Sequence, residues 1–405
     1  MKLYEKIAAR IPQFTEMADA VEQRLTPSLV VGLSAVHKAL FIEGLSASLP
    51  QGRVTAIITE DEQNASRLCE DINNMVGSEA ALLYPAKEFS FRQVEGSSRE
   101  YEYARLGVLA RLADGTCKIV AMSAEAAMQL TIPPEQLRKN SMELKTGGSY
   151  AVDHLAAALI SAGYTRRPQV DGVAQFSVRG GIVDVFPPSE STPVRIEFWG
   201  DEIDSMAYFD IESQRRTDSL ESLRITPASE ILFDSLDELK KRLAAFSVRD
   251  GKAIAQTLQK DIDRLESGTG LSSMDKYIGL AYEKPATVFD YLTGAVMFVS
   301  EFTAMKENIR AFWQQYAEDL KILFEEGELC AGLDRFCLDF GQLQSNWEKL
   351  PTIYLDTFAR TNPELRLKKL ITVNALQTSG WSGELRLLRE DLQALLDLGY
   401  CCIVL

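Results

Sequence analysis

Between residues 28 and 122, short apolar runs alternate with amphipathic stretches, and this alternation limits the fold more than any other feature. SLVVGL, VTAIIT, AALLYP and CKIVAM read as strands. Between them, KALFIEGLSASL, DEQNASRLCEDINNMV and YEYARLGVLARLA carry apolar residues at helical spacing. Strand and helix in turn imply a parallel sheet with helices packed on its faces. Asp61 stands where an N-cap belongs, with Asn64 in the slot where Glu or Gln would complete a capping box.

The texture changes near residue 132, where IPPEQL breaks the alternation. A helix is expected over Asp153–Ala162. FSVRGGIVDVF and VRIEFWGDEIDSMAYF then alternate in period two, interrupted by Gly-Gly, Pro-Pro and Gly-Asp, which reads as antiparallel hairpins. Long amphipathic stretches follow at 236–266 and 303–327, with strand-like runs AVMFVSE and TIYLDTF. From Lys369 the pattern restarts as ITVNAL, a helix and CCIVL. One βαβ unit cannot cover both faces of its sheet, so a continuation beyond this sequence is expected. Four segments are expected: 1–131, the first part of an α/β domain; 132–216, an inserted β-rich module; 217–360, the second, largely helical part of the α/β domain; and 361–405, the start of a further α/β domain.

Apolar residues make up 46% of the 405 and charged residues 25%, which suits a folded chain rather than a disordered one. No apolar run approaches the roughly 18 residues of a membrane span. The start MKLYEKIAARIPQF lacks an apolar signal-peptide core, so a cytoplasmic location is expected. A net charge of −15 supplies little of the Lys/Arg attraction behind direct nucleic-acid binding and favours protein partners. The six cysteines form no CxxC pair and read as free thiols. His37 and His154 are the only histidines, and neither has neighbours suited to a zinc site or a hydrolase triad. No catalytic residue, metal site or cofactor is assigned.

GLSAVHKA (Gly32–Ala39) lies between a strand and a helix, where a phosphate-binding loop would sit. Such a loop needs Gly before its Lys and Ser or Thr after it. His37 and Ala39 occupy those slots around Lys38, so the backbone wrap is hindered and the Mg²⁺ ligand is missing. The partner element would be an apolar strand ending in Asp-Glu. In AVMFVSE, Ser300 stands where that Asp would be, followed by Glu301. GDEID (Gly200–Asp204) contains Asp-Glu but falls at a hairpin turn. On these residues alone, a retired nucleotide fold and two unrelated segments stand as equal readings.

The string from Gly163 to Arg216, GYTRRPQV-DGVAQFSVRGGIVDVFP…PVRIEFWGDEID…FD…QRR, resembles the inserted domain shared by the excision-repair protein UvrB and the transcription-repair coupling factors. YPAKEFSFRQVEGSSREYEYARLGVLARL and the stretch from TVFDYL through VMFVSE to IYLDTF are similar to the coupling-factor version. UvrB carries an intact phosphate loop and an aromatic-rich hairpin. Here the loop is degraded, and only Phe89, Phe91, Tyr101 and Tyr103 are aromatic between Pro85 and Arg105. The resemblance therefore points to the N-terminal region of the coupling factors. It implies a degenerate P-loop domain of the RecA-like, helicase type with an inserted β-rich α+β domain.

The resemblance further implies a non-catalytic module that recruits UvrA to stalled RNA polymerase. RNA polymerase and DNA would be reached only through other domains, and the UvrA surface would be masked by a C-terminal domain. The alternative is an ATP-dependent, UvrB-like DNA-damage-processing protein. By motif, Arg166 and Arg179 match the UvrA-facing arginines, while Ser177 replaces a third. Phe176 is the expected aromatic anchor or else core. Arg195 and Glu197 share one strand face, either as interface charges or as a solvated pair. Gly180 and Gly181 are expected to serve the turn, and Asp184 and Phe186 to be structural.

Overall fold

The expected strand runs assemble in one seven-stranded sheet. They are β1 (Ser28–Val31), β2 (Thr55–Thr59), β3 (Ala81–Tyr84) and β4 (Ile119–Ser123), joined by β13 (Val296–Ser300), β14 (Thr352–Asp356) and β15 (Lys369–Thr372). The order is β15-β1-β14-β13-β2-β4-β3 and every pairing is parallel. The coordinates are a computed structural model that describes residues 11–50, 52–88, 99–233, 235–247, 252–266, 271, 274–360, 362–375, 383–400 and 402.

The central strands are buried on both faces, as a parallel sheet covered by helices requires. Alternate residues serve opposite cores. Leu29, Val31, Ile58, Val299 and Tyr354 join one cluster, with Leu106, Phe302 and Trp347 from helices Glu100–Ala113, Phe302–Glu326 and Phe340–Trp347. Val30, Ile57, Phe298, Ile353 and Leu355 join the other, beneath helices Pro12–Glu22, Ala35–Ser48 and Glu62–Val76. Asp61 caps the last of these helices, accepting from the Asn64 backbone N–H at 2.8 Å.

A second sheet is built from β6 (Thr165–Arg166), β7 (Gln175–Arg179), β8 (Ile182–Val185), β9 (Val194–Trp199), β10 (Glu202–Phe209) and β11 (Arg216–Leu220), in the order β11-β10-β9-β8-β7-β6. It is antiparallel except for the β6–β7 pair. Its inner face packs Phe176, Val183, Val185, Val194 and Ile196 against Leu155 and Leu159 of helix Val152–Ser161. A short ribbon, β5 (Met142–Lys145) with β12 (Ser222–Ile225), closes the module.

Two expectations need correction. The module does not end at 216, because β11 and β12 continue its pairing through Ile225. The strand expected from Lys369 onward does not start apart from the first sheet: β15 pairs with β1 as its edge. IPPEQL does end the alternation, and its second proline starts the helix Pro134–Lys139, where a missing N–H costs nothing. Helix Leu385–Asp397 follows β15 with no buried residue. Phe89, Phe91 and all of CCIVL except Cys402 lie outside the described residues.

The returning chain is anchored by a buried ionic cluster. Glu230 Oε1 accepts from Arg105 Nε at 2.6 Å and its Oε2 accepts from Lys87 Nζ at 2.8 Å, with all three side chains almost wholly buried. Lys87 also donates to Asp275, and the Glu230 backbone N–H donates to Glu102. Burial works against ionised Glu230, but the two cations prevail and hold its carboxyl down at about 2. Among the described residues, no helix is long and apolar enough to cross a membrane, and no group of three or more His, Cys, Asp or Glu side chains could hold a metal ion.

Candidate functional site

Two places collect the residues singled out in the sequence. The first lies at the carboxyl ends of β1, β14, β13 and β2, where ligands bind in open parallel sheets. Only Gly32, Leu33 and Ser34 separate β1 from the helix that begins at Ala35, so Lys38 is already one turn into the helix. Much of the stretch from Gly32 to Lys38 is therefore helical rather than loop. Gly32 has a different duty: at φ +93° it lies against the backbone after β15, and a Cβ there would sit 2.0 Å from the Val373 carbonyl oxygen. His37 is hydrogen-bonded through Nδ1 to Ser34 Oγ at 2.8 Å.

The expected remnants, 262 residues apart, meet: Lys38 Nζ donates to Ser300 Oγ at 3.0 Å. It also pairs with Glu301 Oε1 at 2.7 Å. The same Glu301 oxygen accepts from the Thr357 backbone N–H and hydroxyl, at 2.8 and 2.5 Å. Glu301 holds a left-handed backbone at φ +47°, unusual for a residue with a Cβ. Partial burial opposes its charge, yet the bonds from Lys38 and Thr357 keep its carboxyl below the ordinary value. Burial raises neighbouring Glu60 and Asp356 instead. The cleft above these groups is about 130 Å³, short of the ~300–1,000 Å³ of small-molecule sites. Ala39 is fully buried in the core and offers no metal ligand.

The second place is the outer face of the antiparallel sheet. Asp184, wholly buried, is its hub: Oδ1 accepts from Arg195 Nε at 2.7 Å, and Oδ2 accepts from Arg195 Nη2 at 2.9 Å and Arg179 Nη2 at 2.5 Å. The Arg195 guanidinium lies over the Phe209 ring and donates to Gln214. The hydrogen bond to Asp184 raises its already high pKa. Glu197 accepts from Ser205 on adjacent β10 and from Arg216 on β11, the strand beyond it. Arg179 remains 46% exposed and Arg166 is exposed on β6. Gly180 takes the left-handed conformation of the β7–β8 turn, at φ +60°.

Phe176 requires correction as a binding anchor: it is completely buried in the inner core and reaches no partner. The period-two pattern fixes its face but not which face is covered. Sequence reasoning missed Asp184 as the group organising both arginines. It also missed Trp199, 84% exposed at the end of β9. The signal for Trp199 was its place beside a Gly-Asp turn, where a core aromatic has nothing to pack against.

A family model described as the UvrB interaction domain matches residues 142–231, the span from β5 through the segment that carries Glu230. The transcription-repair-coupling factor of Bacillus subtilis (strain 168) is 26% identical over 393 residues, covering 94% of this chain and 33% of the relative. That of Staphylococcus aureus (strain MRSA252) is 26% identical over 389 residues, covering 93% and 33%. The chain spans about a third of the length of these curated relatives. These matches bear out the resemblance to the UvrB-like, N-terminal region of the coupling factors.

Proposed function

We propose that this chain, similar along nearly its whole length to transcription-repair-coupling factors, is the non-catalytic region that captures UvrA. The observation that carries this reading is the outer face of the β7–β10 sheet, inside the matched domain, where buried Asp184 fixes two arginines and leaves Arg179 exposed. Interfaces favour arginines that are pre-oriented in this way, because little side-chain freedom is lost on docking. Arg166 and Arg179 are the assigned contacts. Arg195 and Glu197 support the face from within it.

In this reading the cleft at Lys38 is a retired nucleotide site. The pairing of Lys38 with Glu301 supports it, since the lysine that would meet a phosphate is neutralised by the chain's own carboxylate. RNA polymerase and DNA are engaged by other parts of the longer protein, in the cytoplasm, and a C-terminal domain masks the UvrA face until the motor engages. The domain division that fits is an insert at 142–231 within a parent α/β domain that includes β15.

A pull-down of UvrA by this chain, with and without Arg179→Ala, tests the capture role. Capture lost in the variant is expected; equal capture misplaces the face. Binding of labelled ATP with Mg²⁺ tests the retired cleft. Micromolar affinity would favour the UvrB-like ATP-dependent reading instead.

A further inference from the structure

Among the described residues, the most exposed large hydrophobic side chain on the matched domain belongs to no core. Trp199 is 84% exposed, whereas the aromatic residues flanking its sheet, Phe176, Phe186 and Phe209, are buried. It continues the alternation of Arg195 and Glu197 along β9 and so emerges on the outer face. It pairs across the hairpin with Glu202, and Gly200 at φ +65° supplies the left-handed turn residue. The turn would form as well with a small polar residue at 199, so the ring is not explained by folding.

The neighbouring hairpin ends alongside it. The Phe198 backbone N–H donates to the Gly181 carbonyl at 2.8 Å. A Cβ at Gly181 would lie 2.9 Å from the Phe198 oxygen, so the two tips approach more closely than any other residue would allow. Arg179 stands opposite Ile182, and Ile182 stands opposite Glu197, two residues before Trp199. Asp184 shares its two oxygens between two guanidinium groups, and of these Arg179 is the one that stays exposed.

We infer that Trp199 is the aromatic anchor of the UvrA-binding face, seated in an apolar recess of UvrA while Arg179 meets a carboxylate on the recess rim. The inference rests on the capture role proposed above and names the residue that supplies most of its affinity. Trp and Arg are the residue types that dominate interface energetics, and a Trp has few rotatable bonds to freeze. The role first expected of Phe176 passes to a residue on the opposite face of the same sheet.

The test is a titration of the cognate UvrA with the full chain and with Trp199→Ala and Trp199→Phe. Trp199→Ala is expected to weaken binding at least about tenfold, with an unchanged unfolding midpoint because the side chain packs against nothing. Trp199→Phe is expected to recover most of the loss. Wild-type affinity in Trp199→Ala, alongside a weakened Arg179→Ala, would overturn the inference and leave the capture role standing. Absence of UvrA binding by the unaltered chain would overturn both.

Discussion

Lys38 Nζ lies 2.7 Å from Glu301 Oε1, at the point where a working phosphate loop would offer its lysine to a nucleotide. The pair closes the cleft from within, with Thr357 completing the set of donors to the carboxylate. Lys38→Ala is expected to lower stability by about 1–3 kcal/mol, because it strands a half-buried carboxylate. Lys38→Met, which keeps the aliphatic stem, should cost less. UvrA capture should be unchanged in both. Urea unfolding and the pull-down check the two halves, and lost capture would give the cleft a function it is denied here.

The Glu230–Arg105–Lys87 cluster makes a second prediction. Its carboxyl titrates at about 2 in the fold against an ordinary 4.5, so the native state binds fewer protons than the unfolded chain in that interval. The stabilisation, on the order of 3 kcal/mol, is complete above pH 4.5 and is lost as pH falls toward 2. Glu230→Gln removes the charge that two buried cations share and is expected to cost about 3–5 kcal/mol near neutral pH. Its unfolding midpoint should fall less steeply with acid than that of the parent chain, as calorimetry between pH 6 and pH 3 would show.

Gly32→Ala tests what the first glycine of the loop is for. Both its positive φ and the Val373 oxygen 2.0 Å from a would-be Cβ forbid a side chain. The expected result is a loss of about 2 kcal/mol or more, with faster amide exchange in β15 and at Val373 just beyond it, whose N–H donates to the Val31 carbonyl. A neutral substitution would mean that β15 does not hold this register on β1.

Asp184→Asn should do two things at once. It removes the charge that orders Arg179 and Arg195, so UvrA affinity falls, and it leaves Arg195, only 14% exposed, without its carboxylate, so stability falls as well. Arg179→Ala should lose affinity alone. A variant pair in which affinity and stability move together in both cases would contradict the division of roles.

Local pattern made much of this legible. The apolar runs of β1 to β4, β13 and β14 became strands within a residue or two, whereas ITVNAL overlaps β15 only at Ile371 and Thr372; the Gly-Gly and Gly-Asp turns became hairpins, because period and turn chemistry are local properties. The order of the sheet was not legible, since β13 and β14 enter between β1 and β2 from more than 200 residues downstream, through contacts no window contains. Lys38 and Ser300-Glu301 were each visible as motif slots, and their bond appears only in the fold. Phe176 was expected as an anchor and Trp199 was passed over for one reason: alternation assigns a residue to a face, and helix Val152–Ser161, which decides the covered face, lies outside the strands themselves. Arg105 and Glu230 left no trace, being ordinary charges in ordinary positions until the insert folds back.

The central claim is that a scaffold without a nucleotide grip presents a pre-oriented arginine to UvrA. Equilibrium binding of purified UvrA to this chain and to Arg179→Ala, with unfolding midpoints recorded for both, tests it most directly. The account predicts at least about a tenfold weaker complex at an unchanged midpoint. Equal affinities for the two proteins would contradict it.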